Sequence, residues 1–547
     1  MRLLRVYIDN YRNLKNVEVD FDQHSLTTVV IGENGSGKSN LIEAIVEIFR
    51  AYDLGIKKIG NFRFEVEYKI RDFIVKLRNT NFPDGTLSSV IDATRSPDGG
   101  ATSRVDNYLP DLIFGYYSGS GRKLEKLFDA HQYRYYGVIN KERDDTEYDA
   151  AQAARKLFYC RPIHGVLALL SYLAKPGSDG GVTNLLTEKL GITGFHSALA
   201  HFKEPSWFNH GNWQKSRNKA EGAGRGRRTY DTLSEQSLDI WGARGPAGNC
   251  ARALRDFAFY PLTMAGKVVD DYRDKPRTEA QLACFLRDRA ALQSFAANYD
   301  TDQDMFAALE AADISDLFRE MIVWVTRKKD ASGDISFSDL SDGERQLLMV
   351  LGLIRVSRGK EALFLLDEPD THLNPAWQLT YLDLIREWTE VAADEDKCQI
   401  VMTTHNPLTI AALEAKEVRV MSSGDGGSIS VAPPRVDPKG LGFAGVLTDI
   451  FGLSSSLDKP TQELIDRRNE LAKKEKLTDA MAKEFADIKE ELRHLGFLYE
   501  ERDRLYSEFL RQLNSVELAD AEPLSPDELR ERETETRRII EELLAKK

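Results

Sequence analysis

Short uninterrupted apolar runs alternate along this chain with stretches whose apolar positions recur at helical spacing. Leu26 to Ile31 is apolar and β-branched, Asp111 to Ser118 is apolar and aromatic, and Ala362 to Leu366 and Ile400 to Thr404 repeat the pattern. Leu26 to Ile31 predicts a buried strand, Ala362 to Leu366 and Ile400 to Thr404 predict strands of the buried, parallel type, and Asp111 to Ser118 predicts another strand. Asn40 to Phe49 predicts a helix with Leu41, Ile42, Ile45 and Ile48 on one face, and Arg345 to Val356 predicts another. Asn61 to Arg78 and Ser88 to Ala93 predict further strands, as do Ile322 to Arg327 and Ile335 to Phe337.

Between these strand-rich parts, from about Lys123 to Ala311, the pattern reads as mostly helical with Gly-rich breaks, as in Ala150 to Ala174 and Thr278 to Ala297. From Pro460 onward the chain is helical and charged. Met481, Phe485, Ile488, Leu492 and Leu495 step by alternate fours and threes, which fits either a short coiled-coil seam or one face of a helix packed on the head. A last helix is expected at Ser525-Pro526-Asp527-Glu528, a capping box with Pro at the first helical position. The expected fold is α/β: a head in two parts, 1–122 and 312–459, with a mostly helical insertion at 123–311 and a helical extension at 460–547.

The chemistry sits at the ends of the apolar runs. Gly32-Glu33-Asn34-Gly35-Ser36-Gly37-Lys38-Ser39 follows the first run and opens the first helix. Glycines there let backbone N–H groups turn toward phosphates, and the helix N-terminus adds the positive end of its dipole. Lys38 is placed to reach the β- and γ-phosphates and the Ser39 hydroxyl to ligate Mg²⁺. Asn34, Gly35, Ser36, Gly37 and Asn40 complete the expected nucleotide contacts, with Arg12 from the N-terminal segment.

Asp367-Glu368 ends the Ala362 run, where α/β sheets bind ligands. Asp367 can hold Mg²⁺ and Glu368 can activate water, although Asp-Glu-Pro also suits an ordinary turn. His405 ends the next run and is placed to meet a γ-phosphate. Ser341-Asp342-Gly343-Glu344 is a capping box that opens a helix. With a small Ser341 and a Gly343, such an N-terminus can also approach a γ-phosphate closely.

In this order the segments resemble an ABC-type ATPase head. In that geometry Ser341 and Gly343 close over nucleotide held by a second subunit, so the resemblance implies an ATP-sandwich homodimer. Leu4-Arg5-Val6-Tyr7-Ile8-Asp9-Asn10-Tyr11-Arg12-Asn13-Leu14 resembles the first lobe of RecF, SMC and OLD-type ATPases. Asp367-Glu368-Pro369-Asp370-Thr371-His372-Leu373-Asn374-Pro375 is of the OLD and RecF kind, and Gly440 to Leu453 resembles the segment after the ATPase in defence-associated members. Head, size and tail together are similar to the PtuA family of ATPases from Septu antiphage systems, including the retron-associated form. That resemblance implies ATP and Mg²⁺ as ligands and a separate HNH nuclease subunit of the PtuB kind as partner. It extends to a retron reverse transcriptase and its DNA–RNA product. Resemblance to RecF implies the alternative, a DNA-repair ATPase that clamps DNA directly. The family's Mg²⁺-facing Gln has no clear counterpart between Glu47 and Ala130, and Gln132 is the nearest.

Composition narrows the picture. The 547 residues are 42% hydrophobic, enough for a large core, and no run of 18 or more apolar residues suggests a membrane span. No signal peptide is apparent, and four scattered cysteines suggest a reducing, cytoplasmic setting without a zinc site. A net charge of −13 disfavours wholesale coating of nucleic acid. A local basic loop, Lys215 to Arg228, could still meet nucleic acid beside Trp207, Phe208, Trp213 and Tyr230, or could be solvated surface. No heptad array long enough for an SMC-type arm appears, and the tail lacks an apolar strand ending in Asp-x-Asp, so no nuclease site is expected.

Overall fold

The computed structural model describes residues 1–56, 59, 61–81, 87–95, 108–119, 121–139, 144–175, 185–208, 230–269, 272–273, 275–328, 330–357, 359–391, 397–424, 428–453, 457–472, 478–495 and 538. The basic loop Lys215 to Arg228 and the helix expected at Ser525 lie outside these residues. The chain forms two units, 1–452 and 453–547.

The first unit opens with β1 (Arg2–Asp9), β2 (Val17–Asp20), β3 (Thr27–Gly32) and helix α1 (Lys38–Asp53). Next come β4 (Arg63–Ile70), β5 (Phe73–Asn81), β6 (Leu87–Arg95) and β7 (Leu112–Tyr117). The middle of the chain gives α2 (Glu125–Ile139), α3 (Asp145–Ala153), β8 (Leu157–Tyr159), α4 (Pro162–Ala174), β9 (Ile192–Lys203), α5 (Tyr230–Leu238) and α6 (Gly245–Asp256). It continues with β10 (Leu262–Val268), β11 (Arg277–Leu286), α7 (Arg289–Ala296) and α8 (Asp302–Ile314). The last part has β12 (Phe318–Arg327), β13 (Asp330–Ser336), α9 (Asp342–Val356), β14 (Ala362–Asp367), α10 (Pro375–Val391), β15 (Cys398–Thr403), β16 (Val418–Ser423) and β17 (Ile429–Ala432).

The expected apolar runs become the centre of a seven-stranded sheet, order β17-β16-β3-β15-β14-β7-β8, parallel except for the β16–β17 pair. Every residue of β3, β14 and β15 is buried, as a sheet covered on both faces requires. Alternate residues serve different cores. Phe364, Leu366, Ile400 and Met402 join the helices α4, α9 and α10 on one side. Val30, Leu363, Leu365 and Val401 join α1 and the antiparallel sheet β2-β1-β4-β5-β6 on the other. Each such side chain contributes about 1.5–3 kcal/mol by burial, so the sheet's strand ends are held in fixed register.

The middle of the chain departs from expectation. Helices remain numerous there, but β9, β10 and β11 join β12 and β13 in an antiparallel sheet, order β10-β11-β9-β12-β13. Thr278 to Ala297, expected to be helical, is strand β11 followed by helix α7, with Asp288 capping the helix by accepting from the Ala291 N–H at 2.9 Å. Ala280, Leu282, Cys284 and Leu286 are all buried, a period of two. Ala, Gln and Leu are good helix formers, and pairing with β9 overrides their local preference.

In the second unit, α11 (Lys459–Ala472) packs on α12 (Asp479–His494). Ile488 and Leu492 of the apolar seam are buried with Leu471, while Leu495 is exposed. Arg467 grips both Glu484 carboxylate oxygens, at 2.7 and 3.0 Å. Among the described residues no helix is long and apolar enough to cross a membrane.

Candidate nucleotide site

Strand register places the chemistry on one edge. Asp367 is paired with Thr403 and with Tyr117, and Thr403 with Val30, so the C-terminal ends of β7, β14, β15 and β3 lie side by side. The loops leaving this edge carry Ser118, Glu368, His405 and the P-loop. Backbone bonds tie them across: Ser118 N–H to Asp367 O at 3.2 Å, Glu368 N–H to Thr403 O at 3.1 Å and Thr404 N–H to Val30 O at 3.2 Å.

The P-loop turns on two left-handed glycines, Gly35 at φ 83° and Gly37 at φ 101°. A side chain at Gly37 would be strained there and would also run into Leu14 and Asn13. The loop between β1 and β2 clamps the turn. Asn13 donates to Gly35 O at 2.8 Å and accepts from Asn40 at 2.6 Å, and Arg12 bonds Asn40 at 3.0 Å and pairs with Glu43. Lys38 is buried and donates to Gly32 O at 2.8 Å and Glu33 O at 3.0 Å. Burial lowers its pKa, against the opposing pull of Glu368 and Asp367. The Ser36 hydroxyl is buried without a hydrogen-bond partner among the described residues.

Asp367 is buried, and burial raises its pKa, while hydrogen bonds from Thr403 and Ser39 hold it down in part. The Ser39 hydroxyl and the Asp367 carboxylate, both expected metal ligands, therefore lie near each other. Glu368 adopts φ 54°, a left-handed conformation rare for such a residue. Its carboxylate lies 3.1 Å from His405 Nε2. Burial lowers the His405 pKa, and Lys38 adds to this while Glu368 opposes it. Behind them Asp370 is buried under the hydroxyls of Thr404, at 2.7 Å, and Thr409.

Ser341 caps α9. Its hydroxyl accepts from Glu344 N–H at 3.3 Å, and Glu344 accepts from Ser341 N–H at 2.8 Å. Gly343 packs so tightly on the His372 carbonyl that an added Cβ would sit 2.7 Å from it. These are contacts to the capping box and to the loop after β14. The structure thus brings together Lys38, Ser39, Asp367, Glu368 and His405, and Gly343 packs on the loop that carries Glu368. Gln132 lies next to His131, which bonds Asp53 at the far end of α1 from the P-loop. It does not meet the metal pair, because α1 separates those ends by roughly 22 Å at 1.5 Å per residue.

The family described as "AAA ATPase domain" matches residues 1–96, and the family described as "AAA domain, putative AbiEii toxin, Type IV TA system" matches residues 216–411. The chain is 29% identical to Septu protein PtuA of Bacillus mycoides (strain KBAB4) over 203 residues, 34% of this chain and 27% of that protein. Over 54 residues it is 43% identical to the DNA replication and repair protein RecF of Rickettsia rickettsii (strain Sheila Smith), 10% of this chain and 14% of that protein. The SMC head domain from Thermotoga maritima aligns with 80% of this chain and 100% of its own length, at 12% identity and a TM-score of 0.30. Over parts of its length the chain is thus similar to Septu protein PtuA, and two AAA ATPase family models match it. Its match spans about a quarter of the length of that PtuA relative.

Several residues that build this site escape detection from sequence. Thr403 has the character of a strand former, yet its hydroxyl bonds Asp367 and accepts from the Glu368 N–H at 3.2 Å. Asn13 and Glu43 grip the P-loop region from positions that motif spacing does not mark. Asp370 was visible within Asp367-Glu368-Pro369-Asp370, and the paired Thr403-Thr404 before His405 was the signal for hydroxyls that bond Asp367 and Asp370.

Proposed function

We propose that this chain binds ATP with Mg²⁺ at the P-loop and hydrolyses it with Glu368 as the base, in a homodimer whose second copy supplies Ser341 and Gly343. The observation that carries this reading is the meeting of Lys38, the Ser39–Asp367 pair and the Glu368–His405 pair at one sheet edge. The residues suit a triphosphate: left-handed glycines expose N–H groups, the Ser36 hydroxyl is unmatched, and a lysine lies over the loop. Ser39 and Asp367 would hold Mg²⁺, which neutralises charge on the transferred phosphoryl group. His405, 3.1 Å from the Glu368 carboxylate, would orient it. Resemblance of Ser341-Asp342-Gly343-Glu344 to the segment by which ABC-type heads close over a neighbour's nucleotide supports a site completed by another copy.

Similarity to Septu protein PtuA supports a role in antiphage defence, with ATP turnover governing a separate HNH nuclease and, in a retron setting, a reverse transcriptase with its product. Lys38→Ala should abolish nucleotide binding. Glu368→Gln should keep ATP bound and slow hydrolysis about 10²–10⁴-fold, the usual contribution of a general base. Bound-nucleotide content and phosphate release of the purified proteins measure both. Wild-type turnover in Glu368→Gln overturns the assignment of the base.

A further inference from the structure

One buried acid at the nucleotide edge has no part in the chemistry above. Asp370 is 1% exposed, and no lysine or arginine forms an ion pair with it among the described residues. A buried carboxylate without a cation is unfavourable unless it is well bonded. Its bonds show what it holds. Oδ2 accepts from the Thr404 hydroxyl at 2.7 Å and from the Thr409 hydroxyl, and both threonines are buried. Thr404 precedes His405 and Thr409 follows it by four residues, so one carboxylate oxygen clasps the His405 turn on both sides. Inside that turn the Thr404 hydroxyl accepts from the Asn406 N–H at 2.9 Å. Asn406 in turn caps the short helix Pro407–Ile410, which contains Thr409, by accepting from the Leu408 N–H at 3.0 Å.

On its own side, Asp370 lies two residues beyond Glu368. The Thr371 hydroxyl donates to Glu368 O at 2.9 Å and the Leu373 N–H to Asp370 O at 3.2 Å, which closes that turn on itself. Asp370 therefore joins the turn that carries Glu368 to the turn that carries His405. The two side chains face each other at 3.1 Å and are both partly exposed, so core packing does little to fix them. Side chains placed in this way keep their geometry through the bonded neighbours that hold their backbone.

We propose that Asp370 is a positioning residue for hydrolysis: through Thr404 and Thr409 it fixes the His405 turn against the Glu368 turn. It acts through those turns rather than on the nucleotide, and its role rests on the hydrolysis proposed above. Loosening the clasp leaves the P-loop's own bonds in place, those of Asn13 to Gly35 O and Asn40 and of Lys38 to Gly32 O. ATP affinity should then survive while turnover falls, since a misplacement of about 1 Å can cost about 10²-fold in rate.

The test is steady-state ATP hydrolysis by the full chain, with kcat and KM separated and Glu368→Gln run alongside. Asp370→Asn keeps the shape and removes the charge; it should lower kcat about tenfold or more and leave KM within about threefold, the pattern of an interaction that matters only in the transition state. Thr409→Val removes one of the two clasping bonds and should act in the same direction. Thr409→Ser keeps the hydroxyl and should turn over several-fold faster than Thr409→Val. The threonine pair decides the matter if Asp370→Asn does not fold. The proposal is overturned if Glu368→Gln is slow while folded Asp370→Asn hydrolyses ATP at the wild-type rate, or if Thr409→Val and Thr409→Ser turn over equally. A loss that falls on KM with kcat unchanged overturns it too. Wild-type turnover in Glu368→Gln is a separate result: it removes the proposed base, and this inference with it.

Discussion

Glu368 holds its left-handed φ of 54° because its N–H is fixed by the Thr403 carbonyl and hydroxyl. Such a conformation costs roughly 1–3 kcal/mol and persists where surroundings over-determine it. Thr403 therefore serves two neighbours, accepting from the Glu368 N–H and donating to Asp367. Thr403→Val keeps the shape and removes both bonds. The protein should lose about 1–3 kcal/mol, read as a lower urea midpoint, with hydrolysis reduced more than ATP affinity. His164 offers a pH test remote from this edge. Its pKa is held well below the ordinary value by burial, with Arg161 and Arg155 adding to it. Arg161 N–H donates to its Nδ1 at 2.9 Å. Unfolded histidine takes up a proton near pH 6.5 and the native one does so only at lower pH, so the unfolded state binds more protons in between. Stability contributed by neutral His164 is thus present above about pH 6.5 and lost as pH falls toward the native pKa, by about 1.4 kcal/mol per pH unit at most. Denaturation midpoints between pH 7 and 5 should show that slope, and His164→Gln should flatten it.

At the scale of elements, the parallel strands were legible because β3, β14 and β15 are buried on both faces and read as unbroken apolar runs. The P-loop was legible because its constraint is local: two left-handed glycines, a lysine and a serine within one turn. β9 to β11 were not. Their burial depends on partners far along the chain, and residues such as Ala280, Gln281 and Leu282 carry helix preference of their own. The same holds inside the site, where Thr403, Asn13 and Glu43 gain their roles only when distant segments meet. Gly343 illustrates packing that local preference would misjudge. In an open helix position Gly to Ala gains about 1 kcal/mol. Here the new Cβ would meet the His372 backbone oxygen at 2.7 Å, and backbone cannot swing aside as a flexible side chain can. Overpacking of this kind costs about 1–3 kcal/mol and outweighs the helix gain. Gly343→Ala should lower the melting temperature, and an unchanged or higher one would contradict this packing.

For the whole molecule, the central claim is that one chain holds the phosphates and another closes over them. ATP bridging two copies would stabilise the assembled form by its differential affinity for it. Ser341 is the residue to challenge. Arg in its place adds bulk where the neighbour's phosphate should come and also removes the N-cap that accepts from the Glu344 N–H, a loss of about 1 kcal/mol. A melting curve separates that local loss from unfolding. The measurement is steady-state ATP hydrolysis by folded Ser341→Arg beside wild type, with bound ATP counted in the same samples. Retained nucleotide binding with hydrolysis reduced at least about 10²-fold, comparable to losing a catalytic group, is the predicted result. Hydrolysis at the wild-type rate would contradict a composite site.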